Sequence, residues 1–216
     1  SSLLIEDIWI GAISGISEIR NIIINASMTS RRFDFVLDAT HPFANVVSSY
    51  LQKACKAMDV PLLILDRSID TSPKANLISS FQDLEDEKLR HKNVLLAIGS
   101  RYLKDAVTSL NQVHANLFVR ILPNSESLKK ALACSISESN IAMFRPVPVK
   151  PFGGLESALC RRWSIQAVIC RQSGGLTEQL WNRVSNKEDI DLWLLSRPSS
   201  SLEFGIQHTL ESLLNI

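Results

Sequence analysis

Three short segments carry residue types that could do chemistry. The first is Asp38-Ala39-Thr40-His41-Pro42-Phe43-Ala44, which follows an apolar run and opens a helical pattern. Pro42 suits the first turn of a helix, where its missing N–H has no intrahelical partner to lose. Thr40 can cap that helix, and the N–H groups behind it favour a phosphate or carboxylate. The same residues also fit a plain helix cap with a structural Asp38 and a solvent-facing His41. The second segment is Gly99-Ser100-Arg101, at the end of the run Asn-Val-Leu-Leu-Ala-Ile. Glycine lets a ligand approach the backbone, and an arginine after a strand–helix turn can hold the 2′-phosphate of NADP. A surface arginine starting a helix is the plainer reading. The third is Ser173-Gly174-Gly175, which fits an anion-binding turn and an ordinary tight loop equally.

A local charge bias accompanies these turns. Arg145, Lys150, Arg161, Arg162 and Arg171 lie within a stretch opposed only by Glu156, in a chain whose net charge is +1. Such a group suits a polycarboxylate ligand through paired arginine–carboxylate bonds, or forms a solvated helix face. The dinucleotide fingerprint GxGxxG and the P-loop pattern are absent from the sequence. Trp163, Trp181 and Trp193 fall in predicted elements and read as packing residues.

The elements that must position these turns alternate regularly. Apolar runs at 33–40, 61–67, 93–100, 115–122, 140–147, 167–171 and 191–198 read as strands buried on both faces of a parallel sheet. Between them lie amphipathic segments, of which Ala44, Val47, Leu51, Ala54 and Met58 form one apolar stripe at helical spacing. Further helices are predicted near 104–110, 127–133, 155–163 and 178–184. This alternation predicts an α/β fold of two Rossmann-like parallel-sheet halves with a cleft between them. The polar stretch Asp83–Lys92 is the candidate link, though it also fits a solvated helix. The halves are therefore placed at 1–90 and 91–216.

Composition sets outer limits. The 216 residues are 45% hydrophobic and 21% charged, a balance that supports a folded domain and gives no basic excess for nucleic acid. No apolar run is long enough to span a bilayer, and the opening Ser-Ser-Leu-Leu-Ile-Glu-Asp-Ile-Trp does not read as a signal peptide. A cytoplasmic protein is expected. The first residue is Ser rather than Met, so the start is processed or the sequence is a fragment. Cys55, Cys134, Cys160 and Cys170 form no CxxC pair and read as buried reduced thiols. His41, His91, His114 and His208 lack HxxxH spacing, so no metal site is expected.

Taken in order, the segments resemble the precorrin-6A reductase family. The resemblance rests on Asp38–Ala44, Val60–Arg67, Leu95–Leu103, Leu117–Pro123, Asn140–Pro146, Leu155–Trp163, Ser173–Gly175 and Ser196–Pro198. It implies two Rossmann-like halves and the use of NADPH to reduce one double bond of a tetrapyrrole macrocycle, precorrin-6A or its cobalt form. It also implies that Asp38, Thr40, His41, Pro42, Gly99, Ser100 and Arg101 border the cofactor. Arg145, Arg171, Ser173, Gly174 and Gly175 would then face the substrate across the cleft. A hydride enzyme needs a proton at the other end of the reduced bond, and His41 is the expected donor.

The sequence also departs from the family pattern. The usual opening strand and Gly-Gly-Thr loop lie ahead of the point where this sequence starts. Arg171-Gln172 replaces the usual lysine before Ser-Gly, and Trp181 stands where a further lysine is usual. Pro146-Val147-Pro148 and Lys150-Pro151 predict a stiff turn. Two other readings remain at this point. One is a lyase or cyclase like uroporphyrinogen-III synthase, against which the 38–44 run speaks. The other is a non-catalytic relative that binds tetrapyrrole or nucleotide.

Overall fold

Every strand pairing among the described residues is parallel, as the buried apolar runs predict. The computed structural model describes residues 13–29, 32–67, 74–145, 152–198 and 204–213. The strands are β1 (Val36–Asp38), β2 (Leu62–Leu65), β3 (Asn76–Ile78), β4 (Asn93–Leu96), β5 (Asn116–Ile121), β6 (Ile141–Met143), β7 (Ala167–Arg171), β8 (Asp191–Leu195) and β9 (Ile206–His208). The helices are α1 (Ile16–Met28), α2 (Asn45–Met58), α3 (Leu103–Gln112), α4 (Ser125–Ala133), α5 (Gly154–Arg162), α6 (Leu176–Glu188) and α7 (Leu210–Leu213). No helix among the described residues is long and apolar enough to cross a membrane.

The chain divides into two compact units, but not after residue 90. One unit is Ser1–Arg67 with Ser199–Ile216, and the other is Ser68–Pro198. Two facts move the division. The stretch Asp83–Lys92 is held inside the second unit by Leu84 and Leu89, both fully buried, each on a short 3-10 turn. The chain end returns to the first unit, where β9 pairs with β2.

In the first unit the strand order is β1-β2-β9. Val36, Leu62 and Ile64 pack with α1 and α2 through Ile19, Ile23, Leu51, Ala54 and Cys55. The opposite face carries the row Leu37–Leu63–Ile206, set by register. Leu37 is 43% and Ile206 63% exposed, while Leu63 between them is buried. Helix α2 stops at Asp59, whose φ of 51° is a left-handed conformation that aspartate tolerates better than most residues.

In the second unit the order is β3-β8-β7-β4-β5-β6. The chain runs outward from β4 through β5 to β6, then returns to the other side of β4 as β7. The carboxyl ends of β4 and β7 therefore flank a topological switch point, where open α/β sheets bind ligands. Helices α5 and α6 cover one face, where Leu95, Val168, Cys170, Leu180, Trp181, Val184 and Leu194 form the core. Trp163 packs against that core and Trp193 is buried, so the three tryptophans serve packing.

Cys55, Cys160 and Cys170 are buried thiols, whereas Cys134 is half-buried. Burial pushes the Cys160 thiol up to about 12 and raises Cys55 and Cys170 as well. Reactivity follows the thiolate, so an aromatic disulfide reagent at about pH 8 should modify Cys134 first in the native chain. The other three should react only after denaturant is added. Rapid modification of two or more thiols without denaturant would contradict this burial.

Candidate functional site

In the first unit, the 38–44 segment folds as a turn rather than as the start of a helix. Asp38 is buried, and its Oδ1 accepts the Thr40 N–H at 3.0 Å. The Ala44 N–H donates to the His41 carbonyl at 2.7 Å, closing a turn over Pro42 and Phe43. Helix α2 starts only at Asn45, with Ala44 as a cap that offers no side-chain bond. Pro42 is therefore not in the first helical turn, and Thr40 does not cap. The Thr40 hydroxyl lies instead 3.2 Å from the Ser48 hydroxyl. Two local bonds, Thr40 N–H to Asp38 and Ala44 N–H to the His41 carbonyl, close turns ahead of the helix, and the Thr40 hydroxyl that a cap would use lies at Ser48 instead. Arg67, at the end of the β2 segment, donates to the Ala39 carbonyl at 3.1 Å and braces the turn from the neighbouring strand.

His41 is half-buried beside Phe43, with ring centroids 5.8 Å apart. Its Nδ1 accepts the Phe43 N–H at 3.2 Å. An acceptor at Nδ1 places the neutral ring's proton on Nε2.

In the second unit, the Gly99 and Ser173 turns lie side by side at the carboxyl ends of β4 and β7. Gly99 has φ 88° and ψ 151°, a backbone that only glycine adopts without strain. A Cβ built there would meet only Arg171 Nη2, at 3.8 Å, so the turn is open to a ligand. Arg171 ends β7, half-buried, with its guanidinium 5.6 Å from the centre of the Tyr102 ring. Burial pulls that guanidinium below the ordinary arginine range, and a hydrogen bond with Tyr102 partly offsets this. Arg101 is exposed next to it, and the Ser100 hydroxyl lies 3.2 Å from that of Ser127.

The Ser173-Gly174-Gly175 turn is half-committed. Glu178, buried in the first turn of α6, accepts the Gly174 N–H through Oε2 at 2.6 Å. A carboxylate already occupies the donor that an anion would use. Its Oε1 has no partner among the described residues.

The basic group predicted between Arg145 and Arg171 does not converge. Arg161 and Arg162 end α5, which leads into the amino end of β7, whereas Arg171 is at the carboxyl end. Arg161 is moreover paired with Glu188 at 2.6 Å. Arg145 is exposed just beyond β6, on the same rim as Arg171 but three strands away in the sheet order. Lys150 and the prolines at 146, 148 and 151 lie outside the described residues. Trp181 is 1% exposed in the core, so it makes no ligand contact.

Sequence reasoning missed Tyr102, Glu178 and Arg67. Each had a signal: an aromatic one residue past Gly-Ser-Arg, an acid four residues past Gly174, and an arginine closing a strand.

The comparisons agree with these features. Residues 9–216 match the family described as precorrin-6x reductase CbiJ/CobK. The cobalt-precorrin-6A reductase of Synechocystis sp. is 32% identical over 171 residues, 76% of this chain and 64% of the relative. That of Priestia megaterium is 23% identical over 177 residues, 79% of this chain and 67% of the relative. The chain thus spans just under two thirds of the first relative's length. The fold is similar to that of the CobK precorrin-6A reductase, with TM-score 0.69 and 20% identity over 95% of this chain and 79% of that one. The relatives and the solved structure named here are reductases, and the chain belongs to the precorrin-6x reductase CbiJ/CobK family.

Proposed function

We propose that the chain takes part in NADPH-dependent reduction of one double bond of a precorrin-6A-type macrocycle, giving the precorrin-6B level of reduction. The observation that carries this reading is the open Gly99 turn at the β4–β7 switch point, with Arg101 and Arg171 beside it. Its positive φ, free approach and two guanidinium groups suit a phosphate-bearing nucleotide. Bound NADPH would supply a hydride to one carbon of the double bond. Arg101, exposed beside the turn, is suited to a terminal 2′-phosphate. Arg171, already desolvated and oriented by Tyr102, is suited to a fixed anionic group. Ser173 and Gly175 form the wall next to it, while Glu178 keeps the Gly174 turn shaped. In the first unit, Asp38 and Arg67 hold the turn that presents His41, and in this reading the imidazolium donates its Nε2 proton once Nδ1 has taken up a proton and released the Phe43 N–H.

Fluorescence titration of this chain with NADPH, against NADH, tests the cofactor side. NADPH should bind at least about tenfold tighter, as one lost guanidinium–phosphate pair implies. In Arg101→Ala that preference should collapse while NADH binding is unchanged. Equal binding of the two nucleotides by the unmodified chain would remove the 2′-phosphate role, and no binding of either would remove the cofactor reading for this chain.

A further inference from the structure

A further arginine of the second unit is more buried than the arginines named so far. Arg120 lies on β5, one residue before its carboxyl end, paired in register with Ala142 of β6. It shares its side of the strand with Phe118, which packs on the α5/α6 core, so its side chain sits beneath that pair of helices. It is 8% exposed. Glu156 in the first turn of α5 exerts an opposing acidic influence on it, which burial outweighs. The Phe144 ring stands 5.0 Å from the guanidinium carbon.

Nε and Nη2 of Arg120 have no hydrogen-bond partner among the described residues. These two nitrogens define one edge of the planar guanidinium, and their N–H bonds point the same way. That edge matches the two oxygens of a single carboxylate. A buried cation with an unsatisfied fork is costly and stands out against the rule that buried polar groups are paired. The strand end on which it sits adjoins β4, whose carboxyl end carries the Gly99 turn.

We propose that Arg120 is a carboxylate receptor, which takes one acid side chain of the macrocycle in its Nε/Nη2 fork as the Phe144 ring rotates away. This rests on the tetrapyrrole reading above and adds a specificity-determining residue to it. The fork accepts a flat, bidentate anion and discriminates against an amide, which would set an N–H against the donors.

The test uses uroporphyrin III, a water-soluble tetrapyrrole bearing carboxylates on every ring. It is titrated into the unmodified chain, Arg120→Met and Arg120→Lys, with protein fluorescence and the side-chain 15Nε–1H signal as readouts. The Arg120 signal is the one missing from both variants. That signal should move on porphyrin addition in the unmodified chain. The Met variant should bind at least about tenfold more weakly, and Lys should restore only part of the loss because it keeps the charge but not the fork. NADPH affinity and the melting temperature should not fall in the Met variant, since an unpaired buried charge has been removed. Unchanged porphyrin affinity in Arg120→Met, or a stationary Arg120 signal while porphyrin binds, would overturn the receptor role and leave the tetrapyrrole reading standing. If the unmodified chain binds no porphyrin, both fail together, and NADPH titration still reports separately on the cofactor.

Discussion

Replacing His41 with asparagine is expected to lower the rate of macrocycle reduction by about 100-fold or more, the ordinary size of a general-acid contribution. NADPH affinity should change little. Asparagine is the informative choice because its Oδ1 can stand near the position of the imidazole Nδ1. That atom now accepts the Phe43 N–H at 3.2 Å. The substitution keeps this bond, and with it the turn closed from Ala44 to His41, while it removes Nε2. A purely structural histidine would be replaced almost silently. A proton donor would not. The pH profile adds a second readout. Turnover by the unmodified chain should fall as pH rises through the imidazole range, and that limb should flatten in His41→Asn. If the variant keeps its turnover and only NADPH affinity drops, the ring positions the nucleotide and the proton comes from elsewhere.

Much of this frame was legible in the sequence because parallel sheets bury their strands on both faces. Runs such as Val-Leu-Leu-Ala-Ile at 94–98 and Ala-Val-Ile-Cys-Arg at 167–171 have no competing pattern, and each holds a central strand. Strands β3 and β9 were missed because Asn76 and Gln207 interrupt the apolar signal, whereas β1 and β6, equally short and at sheet edges, lie within longer apolar runs. Helix α1 was missed for a different reason. Its consecutive isoleucines Ile22, Ile23 and Ile24 are β-branched and weaken the helical preference, although Ile19 and Ile23 do bury against α2. At the site, residue types were easier to find than their bonding. Asp38 and Thr40 were both picked out, but nothing in their spacing told whether the Thr40 hydroxyl would cap a helix or turn to Ser48. The basic group failed on topology. Arg162 and Arg171 are nine positions apart in sequence, yet a helix end and a whole strand separate them in space. Arg120 gave no signal at all, because one arginine inside Leu-Phe-Val-Arg-Ile-Leu reads as the exposed side of a strand until both faces are seen to be covered.

Trp181→Ala is expected to lower the stability of the second unit by about 3–5 kcal/mol, the usual range for emptying an aromatic core position. Trp181 is 1% exposed and packs in the cluster that joins α5 and α6 to the central strands β4, β7 and β8. The helices approach closely here, since a Cβ on Gly153 would come within 2.9 Å of Val184 Cγ2. Such contact leaves little room for the neighbours to collapse into the space left by an indole, so the cavity term should be large. Urea unfolding followed by circular dichroism would show the loss as a lower midpoint with little change in slope. Trp181→Phe, which keeps most of the volume, should lose only part of it. Porphyrin and NADPH affinities, measured where the variants remain folded, should match those of the unmodified chain. The opposite pattern, intact stability with weakened porphyrin binding, would mean that this position reaches the ligand after all. The burial argues against that outcome and also against restoring a lysine there. An ammonium placed among Leu180, Val184 and Leu194 would have to be desolvated without a partner, which is more damaging than a void.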